Sequence, residues 1–138
     1  MALYLADSTI WSWADSGRRP DIAEKLATRF GRGEVVTCAP VVLETMHRAR
    51  SGKEYDETLR DLFEPLVELS LGDDAARRAL QVQRQLAGAT DGRHRRPAVD
   101  YLIAAIAEVA EDDITMWAFD ADLAVICAHT GQPHEAEN

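Results

Sequence analysis

The chain has 138 residues, a hydrophobic fraction of 46%, a charged fraction of 28% and a formal net charge of -9. That size and balance suit one compact domain over residues 1–138 and exclude a disordered or low-complexity polymer. The acidity argues against sequence-independent, cation-driven binding to nucleic acid.

The first element in chain order is Leu3-Tyr4-Leu5-Ala6, a short apolar run that reads as a buried strand. It ends in Asp7-Ser8-Thr9. A helix is predicted over 10–14, with Trp11 and Trp13 as packing residues, and Gly17 and Pro20 punctuate it. A second helix covers 21–30, with Ile22, Leu26 and Phe30 on one face, and Gly31 and Gly33 end it. Residues 34–38 are rich in β-branched side chains and form a second strand. Pro40 opens a helix that continues to about Arg50, and Gly52 stops it. A helix over 55–63 is broken by Pro65, and 66–71 alternate as a third strand.

Asp73 caps a long helix running to 86 or 87, with Ala76, Leu80, Gln83 and Leu86 as its apolar face. The stretch Gly88-Ala89-Thr90-Asp91-Gly92-Arg93-His94-Arg95-Arg96-Pro97 is a loop. Residues 98–111 are apolar on nearly every side and make a buried helix. A fourth strand over 114–119 is followed at once by Asp120, then a helix over 123–129 closed by Gly131, and the tail has room for a brief edge strand. Strands alternating with helices imply an α/β/α sandwich: a mainly parallel sheet of four or five strands with helices on both faces.

Several site types are excluded. Cys38 and Cys127 are expected to be packed and reduced. The histidines, His47, His94, His129 and His134, have no zinc-ligand spacing with them. Glycine-rich phosphate loops and the nucleophile elbow are missing. No apolar run reaches the ~20 residues of a membrane span, and the opening residues lack a leader's pattern. A cytoplasmic location is the expectation.

Five acids stand where an apolar element meets a loop: Asp7, Glu44, Asp100, Asp120 and Asp122. Each has a local explanation. Asp7 and Asp120 suit helix caps, Glu44 suits an i,i+4 pair with Arg48, and Asp100 suits a helix N-terminus. Taken together they point further. Asp100 opens a helix with almost no polar face and no basic partner in that helix, so its carboxylate must be paired, protonated or metal-bound. Acids gathered at one sheet edge repel one another, and a divalent cation removes the conflict. An all-oxygen donor set selects Mg²⁺ or Mn²⁺, whose usual work is phosphoryl chemistry.

Four stretches carry a family resemblance: Tyr4-Leu5-Ala6-Asp7-Ser8-Thr9; Val41-Val42-Leu43-Glu44; Pro97-Ala98-Val99-Asp100-Tyr101-Leu102-Ile103-Ala104-Ala105; and Phe119-Asp120-Ala121-Asp122-Leu123 leading to Thr130-Gly131-Gln132-Pro133-His134-Glu135. Their order along the whole chain resembles the PIN-domain ribonucleases, in particular the VapC toxins of type II toxin–antitoxin pairs. The resemblance implies an acidic pocket at the strand ends that binds Mg²⁺ or Mn²⁺ and cleaves RNA endonucleolytically with water as nucleophile. By motif position Asp7, Glu44, Asp100 and Asp120 match the catalytic quartet. Asp7, Asp100, Asp120 and Asp122 are the implied metal ligands, and Ser8 matches the hydroxyl that supports the first Asp. It also implies a homodimer and a cognate VapB-type antitoxin, in a heterotetramer or larger assembly.

Two positions depart from the pattern: Ala118, where histidine is frequent, and Leu123, where phenylalanine is. Neither removes a metal ligand; substrate handling is what they put in question. Arg93, Arg95 and Arg96 directly precede Asp100 and are candidates for holding the RNA backbone. Three other readings fit less well. A haloacid-dehalogenase phosphatase needs Asp-x-Asp after the first strand, where Asp7-Ser8-Thr9 stands. A receiver module needs a late lysine, and the lysines are Lys25 and Lys53. A catalytically weak PIN domain that mainly binds an antitoxin is the remaining alternative.

Overall fold

The computed structural model describes residues 2–89 and 92–138; Thr90 and Asp91 of the 88–97 loop lie outside them. Among the described residues the sheet has five strands: β1 (Leu3–Ala6), β2 (Val35–Cys38), β3 (Val67–Leu69), β4 (Ile114–Ala118) and β5 (His134–Ala136). Their order is β3-β2-β1-β4-β5, and every pairing is parallel. Met116, Trp117 and Ala118 are consecutive and all 0% exposed. Successive strand side chains point to opposite faces, so both faces of the sheet centre are covered.

The cover comes from α1 (Ser8–Asp15), α2 (Pro20–Gly31), α3 (Ala39–Met46), α4 (Gly52–Thr58), α5 (Asp73–Gly88), α6 (Ala98–Val109) and α7 (Ala121–Thr130). α2 packs on β2, α6 on β4 and α7 on β5. The chain steps outward from β1 to β3, crosses back over β1 to β4, and steps outward again to β5. Right-handed crossovers then put the helices of the two halves on opposite faces. The connections leave β1 and β4 in opposite directions, so a crevice opens beyond the carboxyl ends of these two neighbouring strands. Asp7 and Asp120 stand there.

Several sequence expectations are corrected. The α5 face is rotated: Ala75, Ala79, Val82 and Leu86 are buried, whereas Leu80 is 67% exposed. Both stripes have helical spacing; α5 packs along α6, and the small Ala75 and Ala79 allow close approach where Leu80 would not. Asp73 is the first helical residue rather than the cap, which is Gly72. The helix begun by Pro40 stops at Met46, not near Arg50. Gly52 opens the next helix instead of ending one, because the Ser51 hydroxyl accepts the Glu54 N–H at 3.1 Å. That helix is shorter than expected and gives way to a π-helical turn over Leu59–Phe63. The third strand shrinks to three residues on the sheet edge, with Val67 68% exposed.

The expectations for the remaining strands and for the cysteines hold. Cys38 and Cys127 are free and buried, and burial pushes both thiols up to about 12. Gly131 ends α7 at φ 80°, a left-handed conformation glycine adopts without steric cost, and its N–H reaches Cys127 O at 2.9 Å. This turn feeds Pro133 into the sheet edge, where its carbonyl takes the Met116 N–H at 2.9 Å. Among the described residues no helix is long and apolar enough to cross a membrane.

Candidate active site

Asp7 both caps a helix and lines the crevice. Its Oδ2 accepts the Thr9 hydroxyl at 2.9 Å and the Thr9 N–H at 3.4 Å, which closes the first turn of α1. Its Oδ1 is buried without a partner, and the residue is 1% exposed. The Thr9 hydroxyl also accepts the Phe119 N–H at 3.1 Å. One hydroxyl therefore ties the acid ending β1 to the backbone just before Asp120. Ser8, expected to support Asp7, instead donates to Glu44 Oε1 at 3.3 Å. Thr9 is the residue the sequence reading missed; the available signal was a hydroxyl two positions after a capping Asp, the spacing of a local side-chain turn.

Glu44 stands on α3, exposed at the lip of the crevice. The i,i+4 pair with Arg48 does not form, because Arg48 Nη1 donates to Ser12 Oγ at 3.0 Å. Burial and the nearby Asp7 and Asp120 carboxylates raise the Glu44 carboxyl, against the lowering effect of Ser8. Burial likewise raises Asp7, with Asp120 adding to it and the Thr9 bonds opposing.

Asp100, at the start of α6, is 2% exposed with an unpartnered Oδ2. Its carboxyl is pushed up to about 8, first by burial, then by Asp120, Asp7 and Glu44. Asp120 caps α7 by accepting the N–H groups of Asp122 at 2.7 Å and Leu123 at 3.3 Å through one oxygen, Oδ1. Asp100, Asp120 and Asp122 each offer an oxygen, and these three atoms lie within 4.8 Å of one another. Two buried, unpartnered carboxylate oxygens beside such a trio fit a hard divalent cation well. Without one, the only relief for their mutual repulsion is a captured proton or a protein cation.

A protein cation is present on one side. Arg96 Nη1 donates to Asp122 Oδ1 at 2.6 Å. Of the three arginines assigned to RNA, Arg96 is thus turned onto the acidic cluster, while Arg93 and Arg95 are exposed. A cavity of about 460 Å³ lined by Trp11, Asp15, Met46, Arg48, Glu54 and Leu62 contains none of the five acids. The gathered, desolvated carboxylates point to the crevice instead, because perturbed titratable groups are the better guide to chemistry.

The sequence family described as PIN domain matches residues 4–128. The chain is a PIN domain. It is 31% identical over 134 residues to Ribonuclease VapC18 of Mycobacterium tuberculosis (strain ATCC 25618 / H37Rv), covering 96% of this chain and 93% of that one. Its fold matches a chain of VapBC2 from Rickettsia felis, solved bound to a DNA fragment from their promoter. The TM-score is 0.73 and the identity 13%, with 99% of each chain covered. It also matches FitAcB from Neisseria gonorrhoeae at a TM-score of 0.67 and 17% identity, over 91% of this chain and 94% of that one. These two solved structures establish likeness of fold.

In this PIN domain Thr9 holds two acidic segments together, so Thr9→Val is expected to lower stability. Losing the hydroxyl leaves Asp7 Oδ2 only the longer bond from the backbone N–H of residue 9 and the Phe119 N–H without its acceptor, a cost of roughly 1–3 kcal/mol in unfolding free energy. Thr9→Ser should restore most of that loss. Denaturant unfolding tests this; a Thr9→Val protein of wild-type stability would refute the role.

Proposed function

We propose that this PIN domain is a metal-dependent endoribonuclease, the toxin of a VapBC-type toxin–antitoxin module. One observation carries the reading. Four carboxylates from separate elements, Asp7, Glu44, Asp100 and Asp120, converge at the crevice of a parallel sheet, and Asp7 and Asp100 keep a buried oxygen unpartnered. The homology to a ribonuclease of nearly equal length supports the substrate class.

Asp7, Asp100, Asp120 and Asp122 would hold Mg²⁺ or Mn²⁺, and Ser8 would keep Glu44 facing the crevice. When bound, the divalent cation supplies Lewis acidity and a water of lowered pKa. Glu44 is the one acid of the quartet at the exposed lip, and its raised carboxyl suits it to take a proton from the attacking water. Thr9 and the α7 cap fix Asp7 and Asp120 before substrate arrives, which spares reorganisation during reaction. Arg93 and Arg95 would hold the RNA backbone on an otherwise acidic molecule. A VapB-type antitoxin would cover the crevice, with the toxin as a homodimer.

The test is cleavage of labelled RNA by the purified protein, with and without EDTA. Cleavage should need added Mg²⁺ or Mn²⁺ and vanish in Asp7→Asn. Binding of RNA by Asp7→Asn should weaken and lose salt dependence when Arg93 and Arg95 become serine. Undiminished cutting in EDTA would reject the metal, and RNA binding insensitive to the serine pair would reject the clamp.

A further inference from the structure

We propose that Arg96 is a built-in counter-ion of the acidic centre that competes with the divalent cation for Asp122. The inference rests on the metal-centre reading above and adds a residue that sets how tightly that centre loads.

The contact differs from an ordinary surface ion pair in how firmly the guanidinium is aimed. The Arg96 backbone N–H donates to His94 O at 2.9 Å, its Nε to Arg93 O at 2.9 Å, and its Nη1 to Asp122 Oδ1 at 2.6 Å. His94 O also accepts the Tyr101 hydroxyl at 2.8 Å, so the turn carrying Arg96 is fastened to the residue next to Asp100. The Arg96 side chain is 20% exposed, against 39% for Asp122. With its backbone fixed in the turn and its Nε already held, the side chain gives up little further freedom in making the pair.

The partner it takes matters. Asp122 is one of the three acids whose oxygens lie within 4.8 Å of one another, and its backbone N–H is the shorter of the two donors that fix Asp120. Asp7 and Asp100 each add a buried oxygen without a partner to the same crevice. A monovalent cation on Asp122 occupies one carboxylate oxygen and places a like charge beside the incoming ion. It also relieves the repulsion among the acids in the metal-free protein. Both effects lower the gain on metal binding, and neither blocks it, because among the described residues Asp7, Asp100 and Asp120 have no arginine or lysine of their own. The pair thus raises the ion concentration at which the centre is half loaded.

Mn²⁺ binding, followed by calorimetry and by the electron paramagnetic resonance of free Mn²⁺ at fixed pH and ionic strength, tests this without reference to activity. Arg96→Gln should bind Mn²⁺ about threefold to tenfold more tightly than wild type, the effect of removing one like charge at short range in a partly screened site. Arg96→Lys keeps the charge and should stay near wild type. In an Asp122→Asn background, Arg96→Gln should change the affinity little. Equal or weaker binding by Arg96→Gln would overturn the inference, as would the same tightening without the Asp122 carboxylate. If Arg96→Gln melts early, Arg96→Met, which retains the aliphatic stem, carries the same comparison. Mn²⁺ binding by none of the proteins would reject the metal centre itself, and the inference with it.

Discussion

Replacing Asp100 with asparagine should make the metal-free protein more stable and nearly abolish the proposed RNA cleavage. Asp100 is desolvated, its Oδ2 lacks a partner, and its carboxyl is pushed up to about 8 by burial and three neighbouring acids. At neutral pH the folded state must therefore hold a proton there or tolerate a charge in a poor environment. Asparagine removes that penalty at nearly equal volume, and a gain of roughly 1–3 kcal/mol in unfolding free energy is expected. Activity should fall by at least about a thousandfold, because a carboxylate of the proposed quartet is gone.

The pH dependence has a definite sign. The folded carboxyl binds its proton more tightly than the unfolded one, whose value is 3.8. Stability of the metal-free protein is therefore greatest below that value and declines as pH rises toward about 8, beyond which this group contributes no further change. Asp100→Asn should flatten that decline. Urea unfolding at several pH values in EDTA measures it; a mutant as stable as wild type at pH 8, or less so, would show that the acids are not in conflict.

Arg29→Ala should give the largest loss of stability of any single surface-reaching side chain in the molecule. The Arg29 guanidinium lies 3.7 Å from the Tyr4 ring centroid and 4.4 Å from that of Trp117. It donates twice to Glu135, at 2.7 and 3.0 Å, with its side chain 13% exposed. Lys25 bridges Glu135 at 3.1 Å and also pairs with Glu137, which accepts the Trp117 indole N–H at 3.0 Å. One stacked cation thus joins β1, β4, α2 and β5. Its removal should cost about 2–4 kcal/mol, since it leaves the partly buried Glu135 carboxylate to Lys25 alone as well as emptying the stack. Lysine should not restore it, lacking the planar fork that stacks and binds in two places.

Arg29, then burial opposing it and Lys25 reinforcing it, hold the Glu135 carboxyl below its ordinary value of 4.5. That contribution is present above 4.5 and lost as pH falls through the depressed folded value, so Arg29→Ala should also shrink the acid limb of the stability profile. Thermal melts and limited proteolysis of the C-terminal strand read both effects. A loss below about 1 kcal/mol would mean the stack is ornamental.

The fold was legible because its signals are local. β1, β2 and β4 are short apolar runs between turn residues, and their alternation with helices admits few topologies. The family resemblance carried by four stretches implied that Asp7, Glu44, Asp100 and Asp120 share one pocket; in the structure Asp100 and Asp120 lie in one tight trio with Asp122, and Asp7 and Glu44 stand within electrostatic reach of them. Where local signals were degenerate the reading slipped. Two stripes of α5 have helical spacing, and only the partner helix selects Ala75 and Ala79 over Ala76 and Leu80. The hydroxyls of Ser8 and Thr9 are equivalent in sequence, and the backbone direction leaving Asp7 gives Asp7 to Thr9 and Glu44 to Ser8. Arg96 looked like a nucleic-acid contact because its link to Asp122 spans 26 residues, a pairing no periodicity announces.

The double duty of Asp7 and Asp120 as caps of α1 and α7 links both acids to the opening turns of those helices. Helix ends are the first parts of a domain to open under thermal agitation. The Asp7 N–H is also tied to Trp117 O at 2.9 Å, so opening of α1 leaves Asp7 anchored to the sheet, whereas the Asp120 side chain depends on the first turn of α7 for its hydrogen bonds.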